Sequence, residues 1–481
     1  MNPQIAKPIT IVAVILSFLL AFLPQDLEAQ TRISRSDKGK STIQVENNNR
    51  KLSIEYEGEI TISDDETDIV DISRGGYIEI EKSGFGSKRR INIEADGSGK
   101  LIKEYYVGRK QQDWEPDGRQ WLAEVLQEVL RSTMIGAEGR VDRMYAQGGA
   151  TRVLSEIREM DSDYVTAGYL DLLLDKNLSN NEMIEAIEVT GTIDSDHYRA
   201  EILKGHQKQF LSNASATTAY INATNDMDSD HYKTEVLRGA IADAEITDAQ
   251  MNSLLQSIGT VDSDHYMTEI LTSIMDSRSL NSNNLDLIIS TSSNIDSDHY
   301  KTEVLRRALS KDGLSTDNIN TILQMVDDID SDHYTTEVVK YLMDHKITGS
   351  NLDLLADIVT NNMDSDHYRN EVIRGLIERQ ELSDKNLDLI FTVIDQYDSD
   401  HYKTEIIGMI SGKKSLTENQ LVKVINSCKS MDSDHYITEV LTSMASRVNK
   451  SSQQVKDAYR SAAKSIDSEY YYGRVMKAID K

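Results

Sequence analysis

The sequence is poor in proline and cysteine, and each shortage limits the folds it can adopt. It has four prolines, the last of them Pro116, so a helix beyond that point meets no residue that removes a backbone donor. The single cysteine, Cys428, cannot form an internal disulfide, so stability has to come from a packed core. Because it stands in the apolar run 424–428, the sequence predicts a small buried hydrophobic side chain there rather than a reactive thiol.

Positive charge is scarce over most of the chain. The formal net charge is −28, and residues 161–481 hold 30 Lys and Arg against 54 Asp and Glu. Nucleic acids and anionic membranes need a basic surface, so both are disfavoured as partners of this acidic part. A basic protein or peptide, or a divalent cation, is compatible with it.

Signatures of catalysis are also missing. Each repeated His is followed by Tyr, so no His-Glu-x-x-His zinc motif occurs, and there is no Gly-x-Ser-x-Gly elbow. Gly39-Lys40-Ser41 resembles the end of a phosphate loop but lacks the earlier Gly. The sequence therefore predicts a protein that is not an enzyme, with no catalytic residue, no cofactor-binding residue and no cofactor.

The first residues of the chain predict export. Lys7, the apolar run 9–23 and the small-residue site ending at Ala29 match a secretory signal peptide over 1–29. A run of this length is short for a membrane span, which needs about twenty residues. Cleavage before Gln30 is the preferred interpretation, and an uncleaved anchor is the alternative. We expect a periplasmic, secreted or cell-envelope protein that touches membrane only if the segment is kept.

Two further segments precede the repeats. After a linker over 30–40, residues 41–110 alternate apolar and polar side chains between Gly-rich turns, which predicts a small antiparallel β module. Residues 117–160 predict a helical adaptor, or N-terminal cap, in which Asp117 caps an amphipathic helix and the adaptor covers the first apolar face of the repeats. The predicted strands cover residues 42–45, 51–56, 59–62, 77–81, 90–94 and 103–107.

A ten-residue phrase, clearest as Asp-Ser-Asp-His-Tyr-Lys-Thr-Glu-Val-Leu at 228–237, recurs through residues 161–481. Its opening Asp returns in steps of 33, then seven of 34, then 35 residues, and a period this strict predicts stacked repeats. An apolar residue followed by Ser, Thr or Asn recurs out of phase and starts a second helix. The fold class is thus mainly α: an α-solenoid of about ten 34-residue helical hairpins, preceded by a small antiparallel β domain.

The helix starts can be assigned from the same spacing. The opening Asp follows an apolar residue and precedes Tyr by four positions, as an N-cap with a hydrophobic staple does. The structural caps predicted for the first helices are Asp194, Asp228, Asp262, Asp296, Asp330, Asp364, Asp398 and Asp432. The caps predicted for the second helices are Ser179, Ser212, Thr247, Asn281, Ser315, Thr348, Ser383 and Thr417.

Eight copies of the phrase carry both a His and a Glu four residues later, on one stripe of the helix. In the structural interpretation these side chains pair within a helix and reach the Asp or the Tyr hydroxyl of the next repeat. A metal array is a second interpretation, although such sites need three or four converging ligands. A third is a pH response of the imidazoles. The metal candidates are His231, Glu235, His265, Glu269, His299, Glu303, His333 and Glu337.

The end copies of the phrase differ from the central ones. The first copy, at 161–164, reads Asp-Ser-Asp-Tyr, which indicates that its His has been dropped. The last copy, at 467–471, has Tyr in place of His. Because end units have one neighbour only, this difference indicates that His and Glu act between repeats.

The repeats resemble HEAT-type or armadillo-type solenoids with short units. The phrase is also similar to the Ser-Asp-Tyr-x-x-Ala-Glu-x-Leu repeats found beyond the membrane in some antibiotic-sensing metallopeptidase-type regulators. That resemblance covers residues 161–481 and carries over no catalytic residue. It implies a helical repeat domain without the peptidase.

These observations predict an exported, non-catalytic repeat scaffold. Its variable second helices would present an extended acidic surface to a protein or peptide partner. One alternative is an extracytoplasmic sensor or regulatory ectodomain that responds to pH or metal through the His and Glu side chains. The other is a structural spacer.

Overall fold

The computed structural model describes residues 30–35, 40–47, 50–242, 246–277, 280–345, 347 and 350–480. The signal segment predicted for 1–29 lies outside these residues. The chain divides into two compact units with the boundary between Ile202 and Leu203, and each is described by itself. Among the helices of the described ranges, none combines the length and the apolar character that crossing a bilayer requires.

The N-terminal unit opens with a seven-stranded antiparallel sheet in the order β1-β2-β3-β6-β7-β8-β9, and β4 pairs with β5 in a second small sheet. Alternation places one face of the large sheet inward, where Ile43, Ile54, Ile80 and Ile91 lie side by side and are fully buried. The strands are β1 Gln30–Arg35, β2 Lys40–Asn47, β3 Arg50–Glu57, β4 Ile60–Ile62, β5 Ile69–Ile72, β6 Tyr77–Gly84, β7 Ser87–Ala95, β8 Leu101–Val107 and β9 Lys110–Gln112.

The linker predicted over 30–40 is wrong for its described residues. Residues 30–35 form β1, which pairs with β2 in antiparallel register, and Lys40 already belongs to β2. Strand β1 lies at the edge of the sheet, where backbone hydrogen bonds to one neighbour suffice and no apolar alternation is required. For the same reason the short strands β5 and β9 were not visible in the sequence pattern.

The two helices of the predicted adaptor contact different parts of the N-terminal unit. Helix α1 (Arg119–Ser132) packs its apolar side, including Trp121 and Leu126, into the same core as the isoleucines of the sheet. Helix α2 (Ala137–Ile157) packs on the first repeat, against α3 and α4, whereas α1 contacts that repeat through the carbonyl of Arg131, which accepts the amide of Asp161 at 3.4 Å. The prediction that the whole adaptor covers the repeats is therefore wrong for α1. Asp117 does not cap α1 either, because the helix follows Gly118 without a side-chain cap.

A buried ion-pair network joins the β4–β5 turn to α2. The guanidinium of Arg140, 2% exposed, donates to Glu66 at 2.7 Å and to Glu156 at 2.9 Å. Arg131 also donates to Glu156, at 2.9 Å. Burial acts to raise the pKa of Glu156, but hydrogen bonds from the two arginines outweigh it and hold that pKa below its usual range. The network fixes the β4–β5 sheet against the helices of its own unit.

The repeats are helical hairpins, as predicted. Successive first helices pack on one another, as α8, α10 and α12 do, and successive second helices form the other layer. The first helices are α3 Asp163–Leu174, α5 Asp196–Gly205, α8 Asp230–Ala242, α10 Asp264–Ser277, α12 Asp298–Leu309, α14 Asp332–Leu342, α16 Asp366–Arg379, α18 Asp400–Ser411, α20 Asp434–Asn449 and α22 Glu469–Ile479. The second helices are α4 Asn180–Val189, α6 Gln207–Phe210 with α7 Ala214–Asn225, α9 Asp248–Ile258, α11 Ser282–Thr291, α13 Thr316–Asp327, α15 Ser350–Asp357, α17 Asp384–Asp395, α19 Glu418–Ser427 and α21 Gln453–Ala463.

Most predicted caps of the second helices are confirmed, and four of them, at Ser179, Thr247, Ser315 and Thr417, are complete capping boxes. The cap predicted at Ser212 is wrong by one residue. Asn213 caps α7 instead, because its side chain accepts the amide of Ala216 at 2.9 Å. Thr348 lies outside the described residues. The remaining confirmed caps are Asn281 and Ser383.

The single thiol behaves as the sequence predicts. Cys428 is fully buried at the end of a second helix. Burial raises the pKa of its thiol to about 12, so it stays protonated and unreactive at neutral pH.

Candidate functional site

The helices that carry the phrase begin later than its opening Asp. Helix α12 begins at Asp298, its N-cap is Ser297, and the Ser side chain makes no capping hydrogen bond. Helices α14 to α20 of the first layer repeat this arrangement, and α5, α8 and α10 begin at the same place in the phrase. The opening Asp lies two residues before the first helical residue, outside the capping position. The cap assignment is therefore wrong for Asp194, Asp228, Asp262, Asp296, Asp330, Asp364, Asp398 and Asp432.

The second Asp of the phrase joins neighbouring repeats instead. The carboxylate of Asp264 accepts the backbone N–H of Asp296 at 3.2 Å and of Ser297 at 2.8 Å, one repeat further on. These amides precede a helix and would otherwise lack a partner, so a charged acceptor from the neighbour stabilises the seam. The same bond to the Ser amide, at 2.7 to 3.1 Å, is made by Asp163, Asp230, Asp298, Asp332, Asp366, Asp400 and Asp434.

The sequence contained a signal for this role that was not used. The second acidic residue of the phrase recurs in as many copies as the opening Asp. Only one acidic residue is needed to cap a helix, so the other is expected to have a different role. The last copy of the phrase carries Glu469 at this position.

The His and Tyr rings of the phrase form a continuous series in the C-terminal unit, which we call the ring ladder (His231 to Tyr471). Each His ring lies 5.1 to 5.5 Å from the Tyr beside it and 5.8 to 6.3 Å from the Tyr of the next repeat. The planes are tilted, as is typical of aromatic pairs. The His rings are exposed and the Tyr rings are half-buried. The predicted contact between repeats is present, and it is made by ring against ring.

The Glu of the phrase pairs with a cation of the preceding repeat. Lys204 lies 2.8 Å from Glu235, and the hydrogen bond from Lys204 holds the pKa of that carboxyl below its usual range. Lys340 has the same effect on the pKa of Glu371. The remaining pairs of this kind are Arg238 with Glu269, Arg306 with Glu337 at 3.1 Å, and Arg374 with Glu405 at 2.8 Å.

The predicted pairing of His with Glu inside one helix is weak by comparison. The ring nitrogen lies 3.8 Å from the carboxylate in His231–Glu235 and 3.7 Å in His367–Glu371, which is beyond hydrogen-bond distance. Among the described residues, no group of three or more His, Cys, Asp or Glu side chains is arranged to hold a metal ion. The metal candidates therefore come together as two donors at most, where zinc sites use three or four protein ligands.

The opening Asp, although not a cap, lies three residues before the His of the ring ladder, just before the N-terminal end of each first helix. In every central copy its side chain is exposed. Within the described ranges its carboxylate has no hydrogen-bond or ion-pair partner. We call this set the acidic row, and in the C-terminal unit it consists of Asp228, Asp262, Asp296, Asp330, Asp364, Asp398 and Asp432.

A cleft of about 590 Å³ lies on the first-helix surface near Glu303. The preceding repeat has Thr272 where five repeats have Lys or Arg, so among the described residues Glu303 has no cation at that position, and the same is true of Glu439, which follows Gly408. Arg306 lies 4.5 Å over the ring of Tyr341 and donates to its hydroxyl at 2.7 Å. The first-helix face is therefore concave at this point and presents both an unpaired carboxylate and an aromatic ring.

Two of the three comparisons with known proteins find no match. No family model matches the chain, and no curated protein matches it. A solved structure described as "Computational Design of Self-Assembling Cyclic Protein Homooligomers" covers 74% of this chain and 96% of its own at 11% identity, with a TM-score of 0.08. A score this low carries no inference about fold or function. The chain is thus identified by its architecture alone, as a helical-repeat protein with an N-terminal antiparallel sheet.

Proposed function

We propose that the chain is an exported, non-catalytic repeat scaffold that binds a basic protein or peptide along the ring ladder and the acidic row. The observation that carries the proposal is that exposed imidazoles, half-buried phenol rings and carboxylates without a partner among the described residues recur at the N-terminal ends of consecutive first helices. A surface with one period fits an extended ligand that meets the same chemistry at each repeat.

The chemistry of the face favours a cationic ligand. An arginine or lysine side chain can pair with a carboxylate of the acidic row and lie against a ring of the ladder, because aromatic faces attract cations. Residues 161–481 also carry 24 more acidic than basic residues. This excess attracts a basic partner over a distance and raises its association rate.

The first-helix face is a better candidate than the second helices, which the sequence favoured. The large apolar or aromatic side chains exposed on described repeats are Tyr164, Tyr341, Tyr470 and Tyr472. All four belong to first helices. Interface cores are enriched in Tyr and Arg, and the second helices expose mainly small polar and acidic groups.

The test is binding of an extended arginine-rich peptide, measured by calorimetry on the full chain. The variant Asp262→Asn, Asp296→Asn, Asp330→Asn removes three charges from the acidic row without changing side-chain size. We expect affinity to fall about tenfold or more, since each close charge pair contributes on the order of twofold to fivefold.

The matched control removes the same number of charges from second helices. Asp248→Asn, Asp317→Asn, Asp353→Asn should change affinity by less than about twofold. Equal losses in the two variants would show attraction by net charge only. A larger loss in the control would place the ligand on the second helices and refute the proposed face.

The two alternatives make different predictions. A pH sensor requires the melting temperature to change between about pH 7 and pH 5, in a manner that His265→Gln, His299→Gln, His333→Gln removes. A spacer binds neither the peptide nor any specific partner. An unchanged melting temperature with intact peptide binding supports the scaffold.

A further inference from the structure

One end of the seven-stranded sheet gathers positive charge in an otherwise acidic chain. The β6–β7 turn, the β8–β9 turn and the start of β3 meet there: Arg50 pairs with Gly84, and Gly108 donates its amide to the carbonyl of Lys88 at 2.8 Å. We call this end the basic tip. Its cations are Arg50, Lys51, Lys82, Lys88, Arg89, Arg90, Arg109 and Lys110.

Most of this charge is not neutralised by neighbours. The acidic partners at the tip are Glu128 for Lys82, Glu81 for Lys88 at 2.7 Å, and Glu79 for Arg90 at 3.3 Å. Within the part of the chain that the structure describes, the other five cations have no acidic side chain at ion-pair distance. The tip therefore presents an excess of free positive charge to solvent.

A large apolar side chain stands at the end of the tip. Phe85 is 78% exposed, and Val107 in the neighbouring hairpin is 45% exposed. Phe85 and Gly86 have φ of +49° and +81°, the left-handed conformation that a two-residue hairpin turn requires and for which Asn-Gly is the favoured pair. A phenylalanine is strained at such a position and gains little burial in return. Folding of the turn alone does not account for this residue.

The tip also has a place for an anionic group. A cleft of about 310 Å³ lies between the turn and α1, and Trp121 forms part of its wall. Arg50, Lys82 and Arg89 line it with the hydroxyls of two serines. The guanidinium of Arg50 lies 5.5 Å from the centre of the Phe85 ring. Cations and hydroxyls next to an exposed aromatic ring match a phosphate headgroup beside the apolar part of a lipid.

The chain enters the sheet at this same end. Gln30, the first residue of β1, pairs with Glu46, and Glu46 pairs with Lys51. The apolar run that ends at Leu23 is separated from Gln30 by six residues, which span at most about 25 Å when extended. The position of this run in sequence therefore places any membrane that receives it within reach of the basic tip.

We propose that the basic tip docks on an anionic lipid surface, with Phe85 inserted among the headgroups and phosphates bound by Arg50, Lys82 and Arg89. The acidic repeats are repelled by the same surface, so the contact is confined to the tip. This inference is independent of the partner proposed for the repeats. It also holds whether or not residues 1–29 are removed, because the tip itself makes the contact.

The test places a polarity-sensitive, thiol-reactive dye at the tip of the full chain through Phe85→Cys. The buried Cys428 stays unlabelled. The matched control is Ser98→Cys, in the β7–β8 turn at the opposite end of the sheet. We expect the dye at position 85 to shift to the blue with phosphatidylglycerol vesicles and to change little with phosphatidylcholine vesicles. The dye at position 98 should respond to neither.

Charge reversal then tests the cations. Arg50→Glu, Arg89→Glu, Arg109→Glu should raise the lipid concentration needed for half of the shift about 100-fold or more, since each cation near an anionic bilayer contributes about fivefold. Phe85→Asn fits the turn better and should keep or raise the melting temperature. When Phe85→Asn is combined with the dye at Val107→Cys, the blue shift caused by phosphatidylglycerol vesicles should still decrease. A smaller shift in a chain that folds as stably as before shows that Phe85 contacts lipid rather than supporting the fold.

Several outcomes would overturn the proposal. Equal shifts with anionic and neutral vesicles would show insertion without headgroup recognition, and equal shifts at positions 85 and 98 would show a contact not made by the tip. The same shift with inorganic phosphate alone would show an anion site that needs no membrane. A shift that appears without vesicles and grows with protein concentration would instead show that the tip binds the acidic surface of a second copy.

Discussion

Replacing Asp400 by Ala should destabilise one seam between repeats far more than replacing Asp398, two residues away in the same phrase. The carboxylate of Asp400 accepts the amides of Asp432 at 3.0 Å and Ser433 at 2.7 Å. Asp398 is exposed and makes no such bond. Had the opening Asp been the N-cap, the order of the two effects would be reversed, with a cost of about 1 kcal/mol for Asp398→Ala.

The magnitude follows from the bonds that are lost. A hydrogen bond to a charged group contributes about 1.5 to 3 kcal/mol, and the lower value applies because Asp400 is half-exposed. Water can replace the bond to Asp432, which lies on the surface, more easily than the bond to Ser433. The negative charge in the first turn of α18 adds about 0.5 kcal/mol. We expect Asp400→Ala to cost about 2 to 3 kcal/mol, and Asp398→Ala less than about 0.5 kcal/mol.

Two measurements check this prediction. Urea unfolding gives the total loss, although a repeat protein can unfold in segments and depart from two-state behaviour. Hydrogen exchange of the amides of Asp432 and Ser433 is the more direct measurement, because Asp400→Ala should remove their protection while the rest of α20 keeps its own. Unchanged exchange at these amides, or a larger loss of stability in Asp398→Ala, would refute the role assigned to the second Asp.

Three further predictions concern buried groups. Arg140→Met should cost about 3 kcal/mol in thermal unfolding, because it removes the principal cation of Glu66 and leaves the buried Glu156 with Arg131 alone, and a loss under 1 kcal/mol would contradict this. Thr302→Val should raise the unfolding free energy by about 1 kcal/mol, since the Thr302 hydroxyl is buried without a partner in the described structure; a decrease would argue against it. Cys428 should resist a thiol reagent at neutral pH until the chain unfolds, and rapid labelling of the folded chain would contradict its burial.

The repeat architecture could be predicted because its information is local and periodic. Caps such as Thr247 and Thr417 act within four residues of themselves, and apolar residues at helical spacing define the buried stripe. The sheet was predictable to the same extent, through strands that alternate. Strand β1 was missed because an edge strand needs only backbone partners, and a polar hexapeptide gives no periodic signal of its pairing.

The candidate site was harder to predict because its contacts join different repeats. Spacing placed His231 and Glu235 on one helix stripe, which is correct, and suggested that they pair with each other. Which side chain of the next helix meets them depends on the offset between packed helices, and no period in the sequence gives that offset. In the structure the offset brings Tyr266 to His231 and Lys204 to Glu235. The stripe was therefore predictable, but its partners were not.

The end copies show which property of the ring ladder is structural. Tyr164 stands at the His position of the first copy. The centre of its ring lies 6.0 Å from that of Tyr198, and the equivalent distance from His231 to Tyr266 is 5.9 Å. Val165 follows it where other copies have Tyr, so the expectation that the first copy had dropped its His is wrong: the position is substituted, not deleted.

The last copy follows the same rule. Tyr470 stands at the His position and lies 5.2 Å from Tyr471. A phenol ring therefore meets the packing requirement at both ends, and packing alone does not demand an imidazole between them. What the central His residues add is a small exposed ring that can donate, accept or become charged. These properties affect a ligand bound at the surface more than they affect the packing between neighbouring repeats. Binding should therefore be tested first at the ring ladder.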